Sequence, residues 1–243
     1  MHLPRLFIDF KLESNESVDL SDDASRHVSK VLRMKPGDRI QLFNGRGGYY
    51  DAEIITVGKR AVTVMVMAFV NEETESNLKI TLAQGISRGQ RMDYTIQKAV
   101  ELGVMQLVPL VTEYSSVKLD GERIQNRLRH WRAVIINACE QCRRTRIPDV
   151  IDPVVLTEWV NQDSSAIKLI LVPGSTQRFK DIIVPVPSLS LLSGPEGGLS
   201  DAEISRAISA GYREIGLGPR ILRTETAAVA AINAAQVLWG DMG

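Results

Sequence analysis

The spacing of hydrophobic positions changes near residue 78, so the chain has two parts with different hydrophobic patterns. From Leu3 to about Val70, apolar and polar residues alternate in short runs between Gly-rich turns, the pattern of half-buried strands. The clearest predicted strands cover residues 39–43, 49–55 and 61–66. Ser21 is the predicted N-cap of one short helix, whose apolar side should hold Val28, Val31 and Leu32. This first part therefore predicts a small β-barrel.

Beyond residue 78, buried strands alternate with helices. The predicted strands cover residues 78–83, 105–111, 167–172, 189–193 and 214–217. The clearest predicted helices cover residues 91–102, 122–143 and 224–239. In the long middle helix, one apolar stripe contains Ile124, Leu128, Trp131, Ile135 and Cys139. Such alternation predicts an α/β domain with a mainly parallel sheet covered on both faces.

The polar segment around residues 72–77 contains no apolar anchor and is the best candidate for a linker. We therefore predict a β-barrel domain over residues 1–72, a linker over 73–77, and an α/β domain over 78–243. A chain of 243 residues is long enough for two domains of this size.

Two segments near the C-terminus each read as a strand, a Gly/Pro loop and a helix start. They are residues 194–198 (Gly-Pro-Glu-Gly-Gly) and residues 217–227 (Leu-Gly-Pro-Arg-Ile-Leu-Arg-Thr-Glu-Thr-Ala). Ligands of open α/β sheets bind at such junctions, so two of them predict one composite pocket. A tight turn with no ligand is the alternative interpretation of the first segment.

The glycine-rich loop lacks both the Gly-Lys-Ser/Thr of a phosphate-binding loop and the G-x-G-x-x-G pattern. Its glycines allow a ligand to lie against bare backbone, which favours an uncharged, hydrogen-bonding group such as adenine over a triphosphate. Ser200 and Glu203 form a predicted capping box that fastens the loop to the next helix. In the second segment, Thr224 as N-cap and Glu225 as first-turn acid have structural explanations, whereas Arg220 and Arg223 have none.

The formal net charge is zero, but its distribution is uneven. Residues 78–150 carry twelve basic and seven acidic side chains, and residues 151–243 carry seven basic and ten acidic ones. The arginine cluster at 143–146 and Arg88 fit a phosphate-bearing or planar partner, although a solvated helix face explains a basic excess equally well.

Other sequence features exclude several classes of protein. No apolar run reaches the length of about eighteen residues that a membrane helix needs, and no signal peptide is evident, so we expect a soluble cytoplasmic protein. The only cysteines, Cys139 and Cys142, lack the second ligand pair of a zinc site. We expect two reduced structural thiols and no metal.

These motifs together resemble the bacterial ribosomal RNA small-subunit methyltransferase E family. Besides the two C-terminal segments, the resemblance rests on residues 87–89 (Ser-Arg-Gly), 97–98 (Gln-Lys), 101–103 (Glu-Leu-Gly) and 138–142 (Ala-Cys-Glu-Gln-Cys). It runs nearly end to end, and Cys142 stands where we expect serine. The resemblance implies a PUA-like barrel followed by a SPOUT-type parallel-sheet domain with a C-terminal trefoil knot, working as a homodimer.

The resemblance also implies S-adenosylmethionine as the cofactor and N3 of one uridine in small-subunit (16S) ribosomal RNA, or in the assembled small ribosomal subunit, as the target. The implied cofactor residues are Leu171, Val172, Gly174, Gly194, Glu196, Gly197, Gly198, Leu217, Gly218, Leu222, Thr224 and Ala227. The predicted RNA-binding residues are Arg5, Arg33, Arg88, Arg143, Arg144 and Arg220.

Uridine N3 carries a proton at neutral pH and lies on the pairing edge of the base, so the base must be unpaired and the proton must leave. Arg223 or Arg88 is the candidate to stabilise the uracil anion, and Glu225 or Glu196 is the candidate to accept the proton. Two alternatives remain open: a non-catalytic RNA-binding, ribosome-associated factor, and a methyltransferase that acts on a different RNA nucleotide.

Overall fold

The structure is a computed structural model, and it describes residues 3–58, 61–115, 121–182 and 187–243. The chain forms two compact units. The first contains Met1–Glu75 and Cys139–Ile147, and the second contains Ser76–Ala138 and Pro148–Gly243. The first division falls inside the polar segment 73–77, whereas no sequence pattern indicated that residues 139–147 belong with the first unit.

The first unit is built on a five-stranded sheet. Its strands are β1 (Arg5–Phe7), β2 (Ser17–Asp19), β3 (Arg39–Phe43), β4 (Tyr49–Val57) and β5 (Val62–Val70). They lie in the order β1-β3-β4-β5-β2, with β1 and β3 parallel and the other pairs antiparallel. Burial alternates in β4, at Ala52 and Ile54, and in β5, at Val62, Val64 and Val66, as the pattern predicts, whereas all of residues 40–43 in β3 are buried. No pairing of β1 with β2 is present among the described residues, so closure into a barrel stays a prediction.

The short helix of this unit, α1 (Asp22–Arg26), begins where it was predicted. The Ser21 hydroxyl accepts a hydrogen bond from the Ala24 amide at 3.3 Å. The chain then continues as a single π-helical turn, His27–Val31. The apolar side was predicted only partly correctly, because Val28 is buried but Val31 is 65% exposed. The wider π turn changes the angle between successive side chains and carries Val31 out to solvent.

The second unit is an α/β fold with a parallel sheet, as predicted. Its strands are β6 (Lys79–Gly85), β7 (Val104–Val111), β8 (Asp149–Val150), β9 (Val154–Val155), β10 (Ile167–Leu171), β11 (Ser188–Ser193) and β12 (Arg213–Ile215). Its helices are α2 (Gln90–Glu101), α3 (Gly121–Cys142), α4 (Leu156–Gln162), α5 (Asp201–Ser209) and α6 (Thr224–Trp239). The strand order is β12-β10-β11-β6-β7-β8, with β9 paired to β7, and every pair is parallel.

This strand order brings distant loops to one edge of the sheet. Because β12, β10, β11, β6 and β7 are consecutive parallel neighbours, the loops after their carboxyl ends lie side by side. The central strands are apolar on both faces, and Leu82, Leu169 and Leu191 are fully buried. The edge is therefore held by a rigid core.

The alanine-rich helix α6 packs against α2 and against β6 and β11. Ala228, Ala231 and Ala235 are completely buried, which fits the close approach that small residues permit. Gln236 on the same helix accepts a hydrogen bond from the Ser76 hydroxyl at 2.8 Å and donates one to the Leu102 carbonyl, also at 2.8 Å. These bonds fasten α6 to the start of β6 and the end of α2.

A buried polar network joins α4, β11 and the residue that precedes β12. The Tyr212 hydroxyl donates to Asp163 Oδ2 at 2.5 Å, accepts from Trp159 Nε1 at 3.1 Å, and lies 3.1 Å from Ser190 Oγ. Burial and the Asp163 charge raise the pKa of Tyr212. Burial alone would raise the pKa of Asp163, but hydrogen bonds from Tyr212, Ser165 and Ser190 outweigh it and lower that pKa. The resulting stabilisation is present above the unfolded-state pKa of about 3.9 and is lost as the pH falls through the folded-state value.

Replacing Tyr212 by phenylalanine should destabilise the protein. The variant leaves the Trp159 donor and the Asp163 carboxylate without this partner, at a cost of about 1–3 kcal/mol in the free energy of unfolding. Urea denaturation followed by circular dichroism measures the change. Tyr94→Phe is the control, because Tyr94 is 47% exposed, and equal stabilities of the two variants would contradict the assignment.

Candidate active site

A cavity of about 510 Å³ opens at the carboxyl edge of the sheet, where β10, β11 and β12 end. Thirteen predicted site residues line it, namely Leu171, Val172, Gly194, Glu196, Gly198, Leu217, Gly218, Arg220, Leu222, Arg223, Thr224, Glu225 and Ala227. Gly174 and Gly197 do not line it. The structure thus brings together three segments from separate parts of the chain, as a composite pocket requires.

Glycine has two different uses in the wall of this cavity. A Cβ at Gly194 would approach the carbonyl carbon of Gly198 to 3.0 Å, so this glycine allows the loop to fold back on itself. Gly198 has φ +76° and faces open space, because no described residue other than its chain neighbours has an atom within 4 Å of the position of its missing Cβ. The loop is therefore both a tight turn and a bare backbone surface that a ligand can approach closely.

Gln84 holds the base of the cavity together. This residue lies near the end of β6 and is 1% exposed. Its Nε2 atom is 3.1 Å from the Gly194 carbonyl oxygen and 3.0 Å from Thr224 Oγ1, and it donates to both. Thr224 Oγ1 in turn donates to the Gly194 carbonyl at 2.6 Å. No sequence motif indicated Gln84, although an amide side chain directly after the apolar pair Leu82 and Ala83, near the carboxyl end of a predicted strand, is a recognisable signal.

The helix after the glycine-rich loop begins with the predicted capping box. The Glu203 amide donates to Ser200 Oγ at 3.3 Å, and the Ser200 amide donates to Glu203 Oε2 at 3.0 Å. The other oxygen, Glu203 Oε1, accepts from the Glu113 amide at 2.9 Å. Glu203 thereby ties the glycine-rich loop to the loop that follows β7, a link that the sequence did not indicate.

Glu225 lines the cavity and has one buried side-chain oxygen, Oε2, without a hydrogen-bond partner among the described residues. A buried carboxylate oxygen without a donor is costly. Glu225 is a first-turn acid of α6, as predicted, but the N-cap position belongs to Arg223 rather than Thr224. The Thr224 hydroxyl bonds to Gly194 instead of capping the helix.

Glu196, the second candidate base, has partners already. Its Oε1 atom accepts from the Arg88 backbone amide and from Arg91 Nη1, each at 3.0 Å. Burial raises its pKa, but the hydrogen bonds from the backbone and the interactions with Arg91 prevail and hold the pKa below its usual value. A carboxylate stabilised in its charged form is a weak proton acceptor. Arg88 itself is exposed beside this pair, and Arg220 and Arg223 are exposed on the cavity wall.

The predicted RNA-binding arginines of the first unit have different environments. Arg5 is 4% exposed; its guanidinium donates to Gln41 Oε1, to the Arg143 carbonyl and to Glu72 Oε1, and lies 4.2 Å from the centre of the Tyr49 ring. Arg144 is also 4% exposed and forms an ion pair with Glu75. Burial of both guanidinium groups opposes direct contact with phosphate. Arg143 is partly buried and donates to Gln41 Oε1 at 2.7 Å, whereas Arg33 is exposed.

The remaining polar chemistry is limited. Burial raises the pKa of Cys139 to about 12, so this thiol is unreactive near neutral pH, and both Cys139 and Cys142 are free. In the described ranges no group of three or more histidine, cysteine, aspartate or glutamate side chains is placed to hold a metal ion. No helix of those ranges is long and apolar enough to cross a membrane.

Comparison with known proteins shows that this chain is similar to RNA methyltransferases. A family model described as an RNA methyltransferase domain matches residues 74–236, and one described as an RNA methyltransferase PUA domain matches residues 20–66. Curated relatives include ribosomal RNA small subunit methyltransferase E of Buchnera aphidicola, 35% identical over 99% of this chain and 98% of the relative. The protein of the same name from Bacillus subtilis is 30% identical over 98% of this chain and its whole length.

Two solved structures are similar over their full length. A Legionella pneumophila methyltransferase in complex with the cofactor SAM superposes with a TM-score of 0.96 and 40% identity, over 99% of this chain and all of that one. Ribosomal RNA small subunit methyltransferase E from Neisseria gonorrhoeae, bound to S-adenosyl methionine, gives a TM-score of 0.92 and 38% identity over the whole of both chains.

Thr224→Val should destabilise the second unit by about 1–2 kcal/mol, because it removes one hydrogen bond to Gly194 and one from Gln84 while preserving the side-chain shape. Urea denaturation measures the effect. Thr226→Val is the matched control, an exposed threonine in the same helical turn. If both variants unfolded at the same urea concentration, the Thr224 hydroxyl would have no part in holding the cavity.

Proposed function

Because this chain belongs to the ribosomal RNA small subunit methyltransferase E family, we propose that it transfers a methyl group from S-adenosylmethionine to small-subunit (16S) ribosomal RNA. The resemblance predicted from the glycine-rich segments is confirmed by the family models and by the full-length relatives. The observation that carries the proposal is the glycine-lined cavity at the carboxyl edge of the sheet.

The residues of this cavity fit S-adenosylmethionine. A volume of about 510 Å³ lies within the range of small-molecule sites, and much of the wall is backbone and apolar side chain. The backbone of residues 194–199 and 217–222 would hold the adenosine part, and the bare surface at Gly198 permits close approach. The unsatisfied Glu225 oxygen accepts a donor from the cofactor or from the substrate base. When bound, this cofactor supplies an electrophilic methyl group.

We assign the proton acceptor to Glu225 and the anion-stabilising cation to Arg223. The target atom is N3 of a uridine, whose proton must leave before its lone pair can attack. Glu225 lines the cavity and has an oxygen without a hydrogen-bond partner among the described residues, whereas Glu196 is stabilised in its charged form by Arg88 and Arg91. Arg223 lies two residues before Glu225 on the cavity wall, so one segment supplies both the acceptor and a positive charge for the uracil oxygens.

Three further features belong to this proposal. The first unit binds RNA as a PUA-like domain, and Arg33 is exposed for contact with phosphate. The protein acts in the cytoplasm, on ribosomal RNA or on the small subunit. The loops after β10, β11 and β12 form a trefoil knot of the SPOUT type. The working form is a homodimer, which the exposed apolar side chains of Val237 and Leu238 near the end of α6 support.

Methyl transfer to RNA tests the proposal directly. Labelled S-adenosylmethionine is incubated with the protein and either undermethylated small subunits or free ribosomal RNA. Label should enter at least one of these substrates. Absence of incorporation into both, from a protein that still binds RNA, would support the non-catalytic alternative.

Glu225→Gln supplies the catalytic control for that assay. We expect it to bind the cofactor and to slow transfer about 10²- to 10⁴-fold, because an amide cannot accept the N3 proton. The matched variant Glu158→Gln changes an exposed glutamate of α4 in the same unit and should transfer at the wild-type rate. Normal turnover of Glu225→Gln would remove this residue from the mechanism.

A further inference from the structure

An exposed tyrosine stands on the outer side of the glycine-rich loop. Tyr114 lies three residues beyond the carboxyl end of β7, on the same edge of the sheet as the cavity, and is 49% exposed. Its hydroxyl makes no hydrogen bond to any residue that the structure describes. Neither the sequence motifs nor the proposed chemistry gives this ring a role.

The backbone of Tyr114 is held in place from both sides. The preceding amide, that of Glu113, donates to the buried Glu203 carboxylate at 2.9 Å. On the other side, the Ser115 hydroxyl accepts from the Thr112 amide at 3.1 Å and closes the turn. Such a turn fixes the backbone position from which the Tyr114 side chain extends. It thereby reduces the conformational entropy lost when a partner binds.

Direct packing places the side chain against the glycine-rich loop. A Cβ at Gly197 would lie only 2.8 Å from the Tyr114 Cβ, so Gly197 is the residue that permits this contact. Its chain neighbours, Glu196 and Gly198, both line the cavity. The base of the Tyr114 side chain thus rests on the back of the loop whose other face forms the cofactor site.

Two arginines contact Glu196, the residue that precedes Gly197 in the glycine-rich loop. Arg91 forms an ion pair with Glu196 at 3.0 Å, and its side chain is still 44% exposed. The Arg88 amide binds the same carboxylate. Tyr114 packs on Gly197 and Arg91 pairs with the preceding residue, Glu196, so an exposed ring and an exposed arginine side chain are attached to adjacent residues of one loop. Proteins hold single-stranded nucleic acid with such groups, by stacking aromatic rings on bases and by attracting the phosphates.

We propose that the Tyr114 ring is a stacking platform for an unpaired base of the substrate RNA next to the cofactor cavity. The inference rests on the proposed function, since it supplies what a target uridine with an accessible N3 requires: an unstacked strand held open beside the methyl donor. The phenolic hydroxyl has no necessary part in it. Glu203 is a positioning residue for this platform, because its carboxylate holds the Glu113 amide.

Substitutions at Tyr114 separate the ring from its hydroxyl and from its packing. Tyr114→Phe and Tyr114→Trp keep a ring, whereas Tyr114→Leu and Tyr114→Gln remove it. Dissociation constants are measured for undermethylated small subunits by filter binding and for S-adenosylmethionine by calorimetry. Loss of a stacked base should weaken RNA binding roughly 5- to 150-fold in the ring-less variants, and the cofactor affinity should stay unchanged.

Each outcome decides the question. Wild-type RNA affinity in both ring-less variants overturns the platform, as does an equal loss in Tyr114→Phe, which would assign the effect to the hydroxyl. Loss of cofactor binding in the ring-less variants would make the side chain a cover for the glycine-rich loop and also overturn the proposal. If Tyr114→Leu lowers the melting temperature, the RNA affinity of Tyr114→Gln is compared with that of the wild-type protein instead. Failure of the wild-type protein to transfer methyl groups would overturn the proposed function, while ring-dependent RNA binding would still support the platform.

Discussion

The cavity depends on one buried contact between the Gln84 amide, the Gly194 carbonyl and the Thr224 hydroxyl. These groups come from three parts of the chain, and Gln84 is more than a hundred residues away from both Gly194 and Thr224 in sequence. They meet because β6 and β11 are parallel neighbours. Inside a protein such bonds are strong and an unmade one is costly, so the loop and the start of α6 have one stable relative position. Every group assigned to the chemistry lies within two residues of Gly194 or Thr224.

Buried polar groups with internal partners support the fold. Arg5, Arg144 and Glu203 are buried and have internal partners, and the Tyr212 hydroxyl joins Asp163, Trp159 and Ser190. These residues hold elements together. In contrast, Glu225 Oε2 and Gln84 Oε1 are buried without a partner among the described residues, and the Tyr114 ring is half exposed on a turn that packs against the glycine-rich loop. Ligands are expected where the protein leaves such capacity unused.

Long periodic segments and capping signals made much of the fold predictable. The strand at Arg39–Phe43, the helix at Thr224–Trp239 and the Ser200 capping box follow from local patterns. Strands of two or three residues, such as β8 and β9, are too short to show a period. Contacts between residues distant in sequence could not be predicted either. The contact of Gln84 with Gly194 and the burial of Arg5 are two examples. The π turn at His27–Val31 was also not predictable from the local pattern. An α-helical period places Val31 on the apolar side, whereas the π turn leaves it exposed.

The central claim is that the glycine-lined cavity is a preformed site for S-adenosylmethionine. Calorimetric titration of the purified full-length chain with S-adenosylmethionine in the absence of RNA tests it most directly. A preformed cavity predicts saturable binding without RNA, with one site in each chain. No detectable binding of S-adenosylmethionine to the folded chain would contradict the claim.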